Sequence, residues 1–288
     1  MANPFEFYQI DAFTNQPFSG NPAAIIFSNN LSDKKMQRIA AEMNLSETAF
    51  LSDSEVADYK LRWFTPTTEV DLCGHATIAS LHFLYESKRI IDKKEIYFET
   101  KSGILKCYRY ADKYFMQIPN PKLEEFGGCK EKILDALNID RVDVSDLPFI
   151  LSNNGYLFIA INSLKSLWDL HPDFMKLKSL SNSKKEFFDV TVFTIDTIEK
   201  NSSAHIRFFA PYHGINEDPV TGSACGPLLP VLIKLGIITY YQNNQLLTFE
   251  QGDVLNRKGR VFVKFDTIQK KIFIAGEAVT VMKGNLLV

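Results

Sequence analysis

Two stretches of this 288-residue chain resemble each other. The first, Arg62–Leu81, reads RWFTPTTEVDLCGHATIASL, and the second, Arg207–Leu229, reads RFFAPYHGINEDPVTGSACGPLL. Each begins with Arg, an aromatic residue and Phe, reaches Pro two positions later, and then has a polar loop and a Gly-x-Ala that opens an apolar run. The two glycines, Gly74 and Gly222, lie 148 positions apart. Two similar units, each about half of the chain, are the simplest interpretation.

A shorter match supports this repeat and a Pro-rich turn suggests where it divides. Thr48-Ala-Phe50 and Thr191-Val-Phe193 are similar at a separation of 143 positions. Pro119-Asn120-Pro121 follows the first group of predicted strands. We therefore predict an N-terminal unit, 1–119, and a C-terminal unit, 120–288, with the last strand, about 277–288, packing back on the first unit.

The two apolar runs after the glycines predict buried helices. HATIASLHFLY and SACGPLLPVLIKLG are apolar on nearly every side, and a helix of that kind is usually buried. A third predicted helix differs, because only one of its faces is apolar. It follows Ser32, a candidate N-cap, and its apolar residues recur at helical spacing: Met36, Ile39, Ala40 and Met43.

Most of the remaining chain predicts short β-strands, since it is rich in β-branched, aromatic and alternating segments. These segments are 5–10, 23–27, 59–64, 96–100, 105–110, 114–118, 156–161, 190–195, 204–209, 246–249, 261–265, 272–275 and 279–282. Two buried helices among many strands indicate two β-rich units that each wrap a central helix.

Composition excludes several classes of protein. Lys and Arg number 32 and Asp and Glu 34, so the net charge is −2 and gives no electrostatic basis for binding nucleic acid. Hydrophobic residues make up 45% of the chain, which is typical of a folded globular protein and not of a disordered one. The most apolar stretch, 227–241, contains Lys234 and two prolines and falls short of the ~20 apolar residues of a membrane span.

The first residues and the cysteines predict a cytoplasmic location. MANPFEFYQIDAF lacks the basic and long apolar regions of a secretory signal. The four cysteines form no Cys-x-x-Cys pair and no disulfide framework, which favours a reducing compartment. They are Cys73, Cys107, Cys129 and Cys225.

The repeat places two loop-to-helix junctions at equivalent positions, Cys73-Gly74-His75 and Thr221-Gly222-Ser223. A helix start offers unpaired backbone N–H groups and a partial positive charge. If the two units face each other, both starts would converge on one cleft suited to a small anion such as a carboxylate. The alternative is that each glycine only permits a strand-to-helix turn. Residue patterns alone leave both interpretations open.

Three titratable residues near these junctions could handle protons. His75 lies in a first helical turn, where the dipole disfavours its protonated form. Asp218 precedes Gly222 by four positions, and Glu47 lies between a surface helix and a strand. Each also has a structural interpretation, respectively as a core histidine, a turn or capping residue, and a surface carboxylate. Spacing does not select Glu47 among the 34 acidic residues.

Neither a metal nor a nucleotide cofactor is expected. The candidate ligands contain no pair with standard zinc spacing, and the sequence has neither a P-loop nor a Gly-x-Gly-x-x-Gly after a strand. Gly222-Ser-Ala-Cys-Gly226 has the pattern of a nucleophile elbow, but it begins a helix inside a β-rich unit, so we discount a serine nucleophile. The ligands considered are Cys73, His75, His205, His213 and Cys225.

Taken in order, the motifs resemble those of the PhzF family, the phenazine-biosynthesis-like proteins, within the diaminopimelate epimerase-like fold. The resemblance covers almost the whole chain, and its motifs are long and specific. They are Asp11-Ala-Phe-Thr, Pro17-Phe-Ser-Gly-Asn-Pro22, Leu45-Ser-Glu-Thr48, Arg62-Trp-Phe-Thr-Pro66, Glu69-Val-Asp-Leu-Cys-Gly-His-Ala-Thr77, Glu217-Asp-Pro-Val-Thr-Gly-Ser-Ala224, Gln251-Gly and Gly276-Glu-Ala-Val279. One departure is Leu255-Asn-Arg257, where the family tends to have Met-Gly-Arg.

The resemblance implies an α+β fold of two pseudo-symmetric units, each a β-barrel around a central helix, with the site between them. It selects Glu47 as the principal acid–base group and His75 and Asp218 as the other polar site residues. It also implies a homodimer and a cofactor-free isomerisation by proton shuttling, known in the family on a dihydro-hydroxy-anthranilate. Related epimerases use two facing thiols, but here the repeat partner of Cys73 is Thr221, so that chemistry is not expected.

The prediction is a cofactor-independent isomerase acting on a small carboxylate metabolite. Glu47 would remove a C–H proton next to an activated centre and return it elsewhere, while His75 and Asp218 position polar groups or relay protons. The alternatives are an amino-acid racemase or epimerase that uses Glu47 with another base, and a non-catalytic metabolite-binding protein. The exact substrate does not follow from the sequence. The predicted substrate-binding residues are Cys73, Gly74, Thr221, Gly222 and Ser223.

Overall fold

The computed structural model describes residues 5–184 and 187–287. The chain divides into two compact units: unit 1 consists of Met1–Ile118 and Phe273–Val288, and unit 2 of Pro119–Ile272. This division falls one position before the boundary that the Pro-rich turn suggested. The segment that returns to unit 1 begins at Phe273, a few residues before the expected position.

The described residues form eighteen β-strands and six α-helices. The strands are β1 (Phe5–Ala12), β2 (Asn21–Phe27), β3 (Glu47–Ser52), β4 (Tyr59–Phe64), β5 (Glu69–Val70), β6 (Glu95–Thr100), β7 (Gly103–Tyr110), β8 (Lys113–Ile118), β9 (Leu123–Glu125), β10 (Ile150–Ser152), β11 (Tyr156–Ala160), β12 (Asp189–Thr194), β13 (Ala204–Ala210), β14 (Ile215–Asp218), β15 (Leu247–Gln251), β16 (Gly259–Asp266), β17 (Lys271–Gly276) and β18 (Ala278–Leu286). The helices are α1 (Asp33–Met43), α2 (Gly74–Glu86), α3 (Lys130–Leu137), α4 (Leu164–Trp168), α5 (Phe174–Lys184) and α6 (Gly222–Lys234). Two 3-10 turns lie at Arg141–Asp143 and Pro211–His213.

In unit 1, one mixed sheet runs in the order β18–β1–β2–β3–β4–β6–β7–β8–β17, with β5 paired to β4. The pairs β2–β3 and β4–β6 are parallel. The central helix is α2, which contacts β1, β2, β3, β8 and β18. It is buried on nearly all sides, as its apolar sequence predicts.

The polar residues inside α2 satisfy their own hydrogen bonds. Thr77 Oγ1 donates to the carbonyl oxygen of Cys73 at 2.5 Å, and Ser80 Oγ donates to that of Ala76 at 2.7 Å. Bonding back to the preceding turn leaves neither hydroxyl without a partner in the core. This is why a helix that contains Thr and Ser can be buried all round.

In unit 2, the sheet runs β9–β10–β11–β12–β13–β15–β16, with β14 paired to β13. The pairs β11–β12 and β13–β15 are parallel. The central helix, α6, contacts β11 and β16 and is buried along most of its length. The helices α3 and α5 pack against each other and contribute to a second apolar cluster.

The strand pairings of the two units correspond one to one. The series β10–β11–β12–β13–β15–β16 repeats β1–β2–β3–β4–β6–β7, with its two parallel pairs at the same places. In addition, β14 repeats β5, and α6 follows β14 as α2 follows β5. The repeat inferred from the two similar stretches is therefore confirmed.

The shorter match, at 143 positions, is wrong by one residue. Phe50 pairs with Arg62 across β3 and β4, whereas Val192 pairs with Arg207 across β12 and β13. Phe50 therefore corresponds to Val192, 142 positions later. A shift of one residue moves every side chain to the other face of a strand, so a short similarity between strands cannot set the register.

The apolar face predicted for the surface helix α1 is the face that is buried. Met36, Ile39 and Ala40 are buried, and Ser32 stands at the N-cap, although its side chain makes no capping hydrogen bond. Sequence reasoning missed α3, α4 and α5, all of which lie in unit 2. None of the helices in the described residues is long and apolar enough to cross a membrane.

Candidate active site

Glu47 is the first residue of β3. Asn44, which ends α1, adopts a left-handed conformation (φ 50°), and its N–H donates to the carbonyl oxygen of Ala40. The chain then enters β3, where Glu47 pairs with Ala23 of the parallel strand β2. Because residues 48–51 are buried, the strand is firmly held. The Glu47 side chain is 14% exposed, so it is largely withdrawn from water but still accessible.

The start of α2 brings Cys73 and His75 together with Glu47. Cys73 is the extended residue before the helix (φ −141°), and His75 is the second helical residue. His75 Nε2 lies 3.3 Å from Glu47 Oε2, and His75 Nδ1 lies 3.5 Å from Cys73 Sγ. Both Cys73 and His75 are buried. Three of the predicted site residues thus form one cluster in unit 1.

Ser46 and Asn21 extend this cluster, and sequence reasoning missed both. Ser46 Oγ donates to Asn21 Oδ1 at 3.3 Å and lies 3.4 Å from His75 Nε2. Asn21 follows Gly20, which has a positive φ of 61° and at which a Cβ would overlap the carbonyl oxygen of Ala12. The signal lay in the motif Leu45-Ser-Glu-Thr48, where Ser46 is adjacent to Glu47.

Burial lowers the pKa of His75 to about 3, so its imidazole is neutral throughout the physiological range. In a neutral ring one nitrogen donates and the other accepts. The Ser46 hydroxyl donates its proton to Asn21, so towards His75 Nε2 its oxygen can only accept a hydrogen bond. An ionised Glu47 carboxylate beside Nε2 is likewise only an acceptor. We therefore assign the proton of His75 to Nε2 and the acceptor to Nδ1, which faces the Cys73 thiol.

Glu47, Cys73 and His75 each offer one possible metal-ligand atom, and these atoms lie within 4.8 Å of one another. Among the described residues, this is the cluster that could hold a metal ion. However, Glu47 lies at Nε2 of His75 while Cys73 lies at Nδ1, so the two potential ligands meet opposite edges of the ring. One ion binds only one of these nitrogens. The arrangement fits a hydrogen-bonded chain better than a convergent ligand set, and the expectation of no metal stays a prediction.

In unit 2, Asp218 and Thr221 form a second cluster at the start of α6. Thr221, the N-cap residue, donates from Oγ1 to Asp218 Oδ2 at 2.5 Å. Gln251 Oε1 accepts the backbone N–H of Thr221 at 2.7 Å, and its Nε2 donates to the carbonyl oxygen of Asp218 at 2.8 Å. All three residues are buried. Gln251, part of a motif noted in the sequence, thereby holds the Asp218 loop against the helix.

The other predicted residues of this junction, Gly222 and Ser223, open α6. Ser223 is half-buried, and its Oγ lies 3.1 Å from the hydroxyl oxygen of Tyr156. Tyr156 is the first residue of β11, and the sequence did not predict it as a site residue. Its hydroxyl links the start of α6 to the amino end of β11, which pairs in parallel with the start of β12.

Two further titratable residues lie together in unit 2: Asp189, which sequence reasoning missed, and His213, which it considered only as a metal ligand. Asp189 begins β12, its side chain is 4% exposed, and its Oδ2 lies 3.5 Å from His213 Nε2. Burial, and after it the negative charge of Asp218, raises the pKa of Asp189 to about 8. Burial also lowers the pKa of His213. A buried carboxyl group of this kind is a candidate proton donor near neutral pH.

Two residues considered as metal ligands lie elsewhere. His205 is fully buried, and its Nδ1 lies 2.9 Å from Glu250 Oε2 in a contact within unit 2. Cys225 lies inside the buried part of α6, where burial, and after it the charge of Asp218, raises its thiol pKa. Neither belongs to the clusters around Glu47 or Asp218 in the described contacts.

The loop after Gln251 accommodates Leu255-Asn-Arg257, which stands where the family tends to have Met-Gly-Arg. Asn256, which stands where the family tends to have Gly, adopts a positive φ of 54°. Asn enters this conformation more readily than most residues, so the loop keeps a glycine-like backbone. Gly252 has a φ of 88°, and a Cβ there would overlap the carbonyl oxygens of Arg257 and Pro219.

The sequence matches the family profile described as phenazine biosynthesis-like protein over residues 10–284. It is 37% identical over 305 residues to an uncharacterized isomerase of Clostridium acetobutylicum, covering 100% of this chain and 99% of the relative. Among solved structures, it is similar to the Bacillus anthracis phenazine biosynthesis protein of the PhzF family. That comparison gives a TM-score of 0.90 and 30% identity, with full coverage of both chains.

A more distant likeness concerns the fold alone. The hydroxyproline epimerase of Agrobacterium vitis is 11% identical, with a TM-score of 0.65, and covers 98% of this chain and 92% of the epimerase. Together with the mixed sheets and few helices of both units, this likeness confirms the predicted α+β, epimerase-like fold.

Proposed function

The chain belongs to the phenazine biosynthesis-like family, and from that premise we propose that it is an isomerase that moves a proton between carbon atoms of a small carboxylate metabolite. Glu47 is the acid–base group. It takes a proton from a C–H bond next to a carbonyl or unsaturated centre and returns one at another position. Since Glu47 both accepts and returns the proton, the proposed reaction needs no cofactor.

The contact between Glu47 and His75 carries the proposal. The neutral imidazole donates to Oε2 across 3.3 Å and orients the carboxylate without placing a cation beside it. A cation there would favour the charged carboxylate and make it a weaker base, whereas a neutral donor leaves it able to cycle between both forms. A site that only bound an anion would not place a carboxylate here, because the two negative charges repel each other.

The remaining predicted residues have binding or positioning roles in this proposal. Asp218 positions a polar group of the substrate or relays a proton. The substrate carboxylate is bound by the helix-start residues, through backbone N–H groups and hydroxyls. These residues are Cys73, Gly74, Thr221, Gly222 and Ser223. The expected homodimer and cytoplasmic location stay predictions.

Hydrogen exchange tests the proposal. Wild-type protein and Glu47→Gln are incubated in D₂O with fractionated small cellular carboxylates, and mass spectrometry detects one-unit gains. We expect a gain with the wild type and a loss of about 10²–10⁴-fold in its rate with Glu47→Gln. Glu55→Gln, a change of an exposed glutamate in unit 1, is the matched control and should exchange like the wild type.

Two results would contradict the proposal. One is wild-type exchange by Glu47→Gln, which would remove Glu47 from the acid–base role. The other is no exchange in any fraction although thermal shift shows that a carboxylate binds, which would favour the non-catalytic binding protein.

A further inference from the structure

We propose that Cys73 is a positioning residue for the acid–base group: its thiol donates a hydrogen bond to Nδ1 of His75 and holds the imidazole so that Nε2–H meets Glu47. This inference rests on the proposed function and deepens it, because it explains how unit 1 keeps the Glu47 carboxylate oriented. It concerns the Cys73 side chain, whereas the substrate contacts proposed above for this helix start use backbone N–H groups and hydroxyls.

The backbone at the start of α2 lets the side chains of Cys73 and His75 meet. Residues two positions apart within a helix do not face each other. Cys73, however, stands at the N-cap with an extended backbone (φ −141°, ψ 121°), and His75 is the second helical residue. Their Sγ and Nδ1 atoms lie 3.5 Å apart. Thr77 Oγ1 donates to the Cys73 carbonyl oxygen at 2.5 Å, which ties Cys73 to the first turn of the helix.

The Cys73 side chain does not perform the usual task of an N-cap residue. Such a side chain commonly accepts a backbone N–H of the first helical turn. Cys73 makes no capping hydrogen bond of this kind. Its sulfur is a weak acceptor, but its S–H has a proton to donate. The thiol therefore contacts the imidazole instead of capping the helix.

The repeat supports this assignment, because the equivalent N-cap residue of unit 2 behaves in the same way. Thr221 makes no side-chain cap either, although threonine is a preferred N-cap residue. Its Oγ1 donates instead to Asp218 Oδ2 at 2.5 Å. Within each unit, considered by itself, the N-cap side chain thus contacts a titratable residue of the predicted site.

The surroundings of the imidazole decide the direction of the hydrogen bond with Cys73. On the Nε2 side lie two acceptors, Glu47 Oε2 at 3.3 Å and Ser46 Oγ at 3.4 Å. A ring proton on Nδ1 would leave a nitrogen lone pair facing the Glu47 carboxylate, and sulfur would be a poor acceptor for that proton. Nδ1 of His75 therefore accepts, and the Cys73 thiol donates.

The contact at Nδ1 also selects one orientation of the buried ring. The torsion of a histidine side chain about Cβ–Cγ is broad and roughly two-fold, so the ring can turn over. Turning over would place carbon atoms where the two nitrogens now lie, and His75 would lose its contacts with both Cys73 and Glu47. Removing the thiol would weaken the present orientation and would leave Nδ1 as a buried acceptor that has lost its partner.

The other three cysteines provide a comparison, since none of them has a hydrogen bond with a histidine among the described residues. Cys107 and Cys225 are fully buried, and burial raises the pKa of each thiol. Cys129 is exposed, and its Sγ lies 3.7 Å from Glu131 Oε2. Cys129→Ala is therefore the control, because it removes a thiol that does not contact an imidazole.

Nitrogen NMR of the free protein tests the contact without a substrate. In protein labelled with ¹⁵N at histidine, the signals of His75 are those that His75→Asn removes. Near neutral pH we expect one protonated and one unprotonated nitrogen in the wild type and in Cys129→Ala. Cys73→Ala should shift the unprotonated Nδ1 signal towards that of a nitrogen without a hydrogen bond. Cys73→Ser keeps a donor and should reverse part of this shift.

The exchange assay measures the effect of the thiol on Glu47. With the substrate found by hydrogen exchange in D₂O, Cys73→Ala should lower kcat about 10-fold or more, the scale of losing the partner on the other nitrogen of an active-site histidine. KM should change little, because the thiol acts on His75 and not on the substrate. Cys73→Ser should recover part of the rate, and Cys129→Ala should keep the wild-type rate.

Three results would overturn the inference. They are an unchanged Nδ1 signal in Cys73→Ala, a wild-type kcat in Cys73→Ala, and a rise in KM with kcat unchanged, which would show direct substrate binding by the thiol. Thermal unfolding of Cys73→Ala and Cys73→Ser shows that the compared proteins are folded. Wild-type exchange by Glu47→Gln would instead count against the proposed function, so the two failures are distinguishable.

Discussion

His75 Nε2 lies 3.3 Å from Glu47 Oε2, so a residue at the start of a buried helix meets a residue at the start of a strand. This contact joins the two motifs Leu45-Ser-Glu-Thr48 and Cys73-Gly-His75 into one cluster. It orients the carboxylate that we propose as the acid–base group.

Neutral His75 should make the protein less stable as the pH falls. Its pKa is about 3 in the folded state and about 6.5 when unfolded, so the unfolded state binds the extra proton between these values. The free energy of unfolding should decrease below pH 6.5 by up to about 1.4 kcal/mol per pH unit from this group. Urea unfolding between pH 5 and 6.5 measures the slope. His75→Asn should flatten it, and an unchanged slope would contradict the assignment of a neutral His75.

Glu250 should stabilise unit 2 through its buried hydrogen bonds. Burial raises its pKa, but the bonds from His205, Ile198 and Glu199 outweigh burial and lower it to about 2. Its contribution is therefore present above pH 4.5 and is lost as the pH falls from 4.5 towards 2.

Replacing this residue gives a direct measurement. At pH 7, Glu250→Gln should lower the free energy of unfolding by about 1–3 kcal/mol, because the amide NH2 group cannot accept the buried N–H donors that one carboxylate oxygen now accepts. Glu131→Gln, which removes an exposed ion pair with Arg141, should change it by less than about 1 kcal/mol. Equal effects of the two changes would show that Glu250 makes no special contribution.

Alanine substitutions at Gly252 and Gly214 compare two costs of adding a Cβ, the strain of a positive φ and the steric overlap with neighbouring atoms. Both have a positive φ, 88° and 87°, but only at Gly252 would a Cβ meet other atoms, including the Pro219 carbonyl oxygen at 2.6 Å. Gly214→Ala should cost about 1–2 kcal/mol from strain alone. Gly252→Ala should cost at least about 2 kcal/mol more, since the loops at Arg257 and Pro219 must shift.

Thermal and urea unfolding of both alanine variants give these values. A Gly252→Ala variant no less stable than Gly214→Ala would show that the loop beside Asp218 adjusts without cost.

Arg207 should contribute more to the free energy of unfolding than Arg62, although the two residues occupy equivalent positions in the repeat. Arg207 is buried, and besides Glu217 its Nη1 donates to the carbonyl oxygens of Leu167 and Leu170, at 3.0 and 2.8 Å. Lysine cannot make these contacts in the same geometry. Arg207→Lys should therefore lower the free energy of unfolding by about 2–3 kcal/mol.

The corresponding change in unit 1 is the control. Arg62 is partly exposed and bonds Glu69 and Asp33, so Arg62→Lys should cost about 1 kcal/mol. Equal losses in urea unfolding would show that the additional carbonyl bonds of Arg207 are worth little.

Local patterns in the sequence predicted the parts of this fold that depend on local properties. The all-round apolar runs after Gly74 and Gly222 are the buried central helices. The single apolar face after Ser32 is that of α1. The similar stretches beginning at Arg62 and Arg207 are equivalent in their strand pairings. Helix periodicity and a glycine junction are properties of neighbouring residues, so they can be read without knowing the rest of the chain.

The less regular helices show the limit of that approach. The helix α5 (Phe174–Lys184) has weak amphipathic character, and α4 (Leu164–Trp168) is only five residues long. Their burial depends on the sheet and on α3, against which α5 packs. A helix that is stabilised mainly by its neighbours gives little signal in its own sequence.

The candidate site divides in the same way. Sequence determined that Glu47, His75 and Asp218 lie beside helix starts or strand ends, and the family resemblance singled them out. Only the tertiary structure decided that Glu47 meets His75, that Gln251 holds the Asp218 loop, and that Asp189 takes the register of Glu47. These relationships depend on which strands become neighbours and in what register. Such pairings form between residues far apart in the chain, where local sequence patterns carry no information about distance.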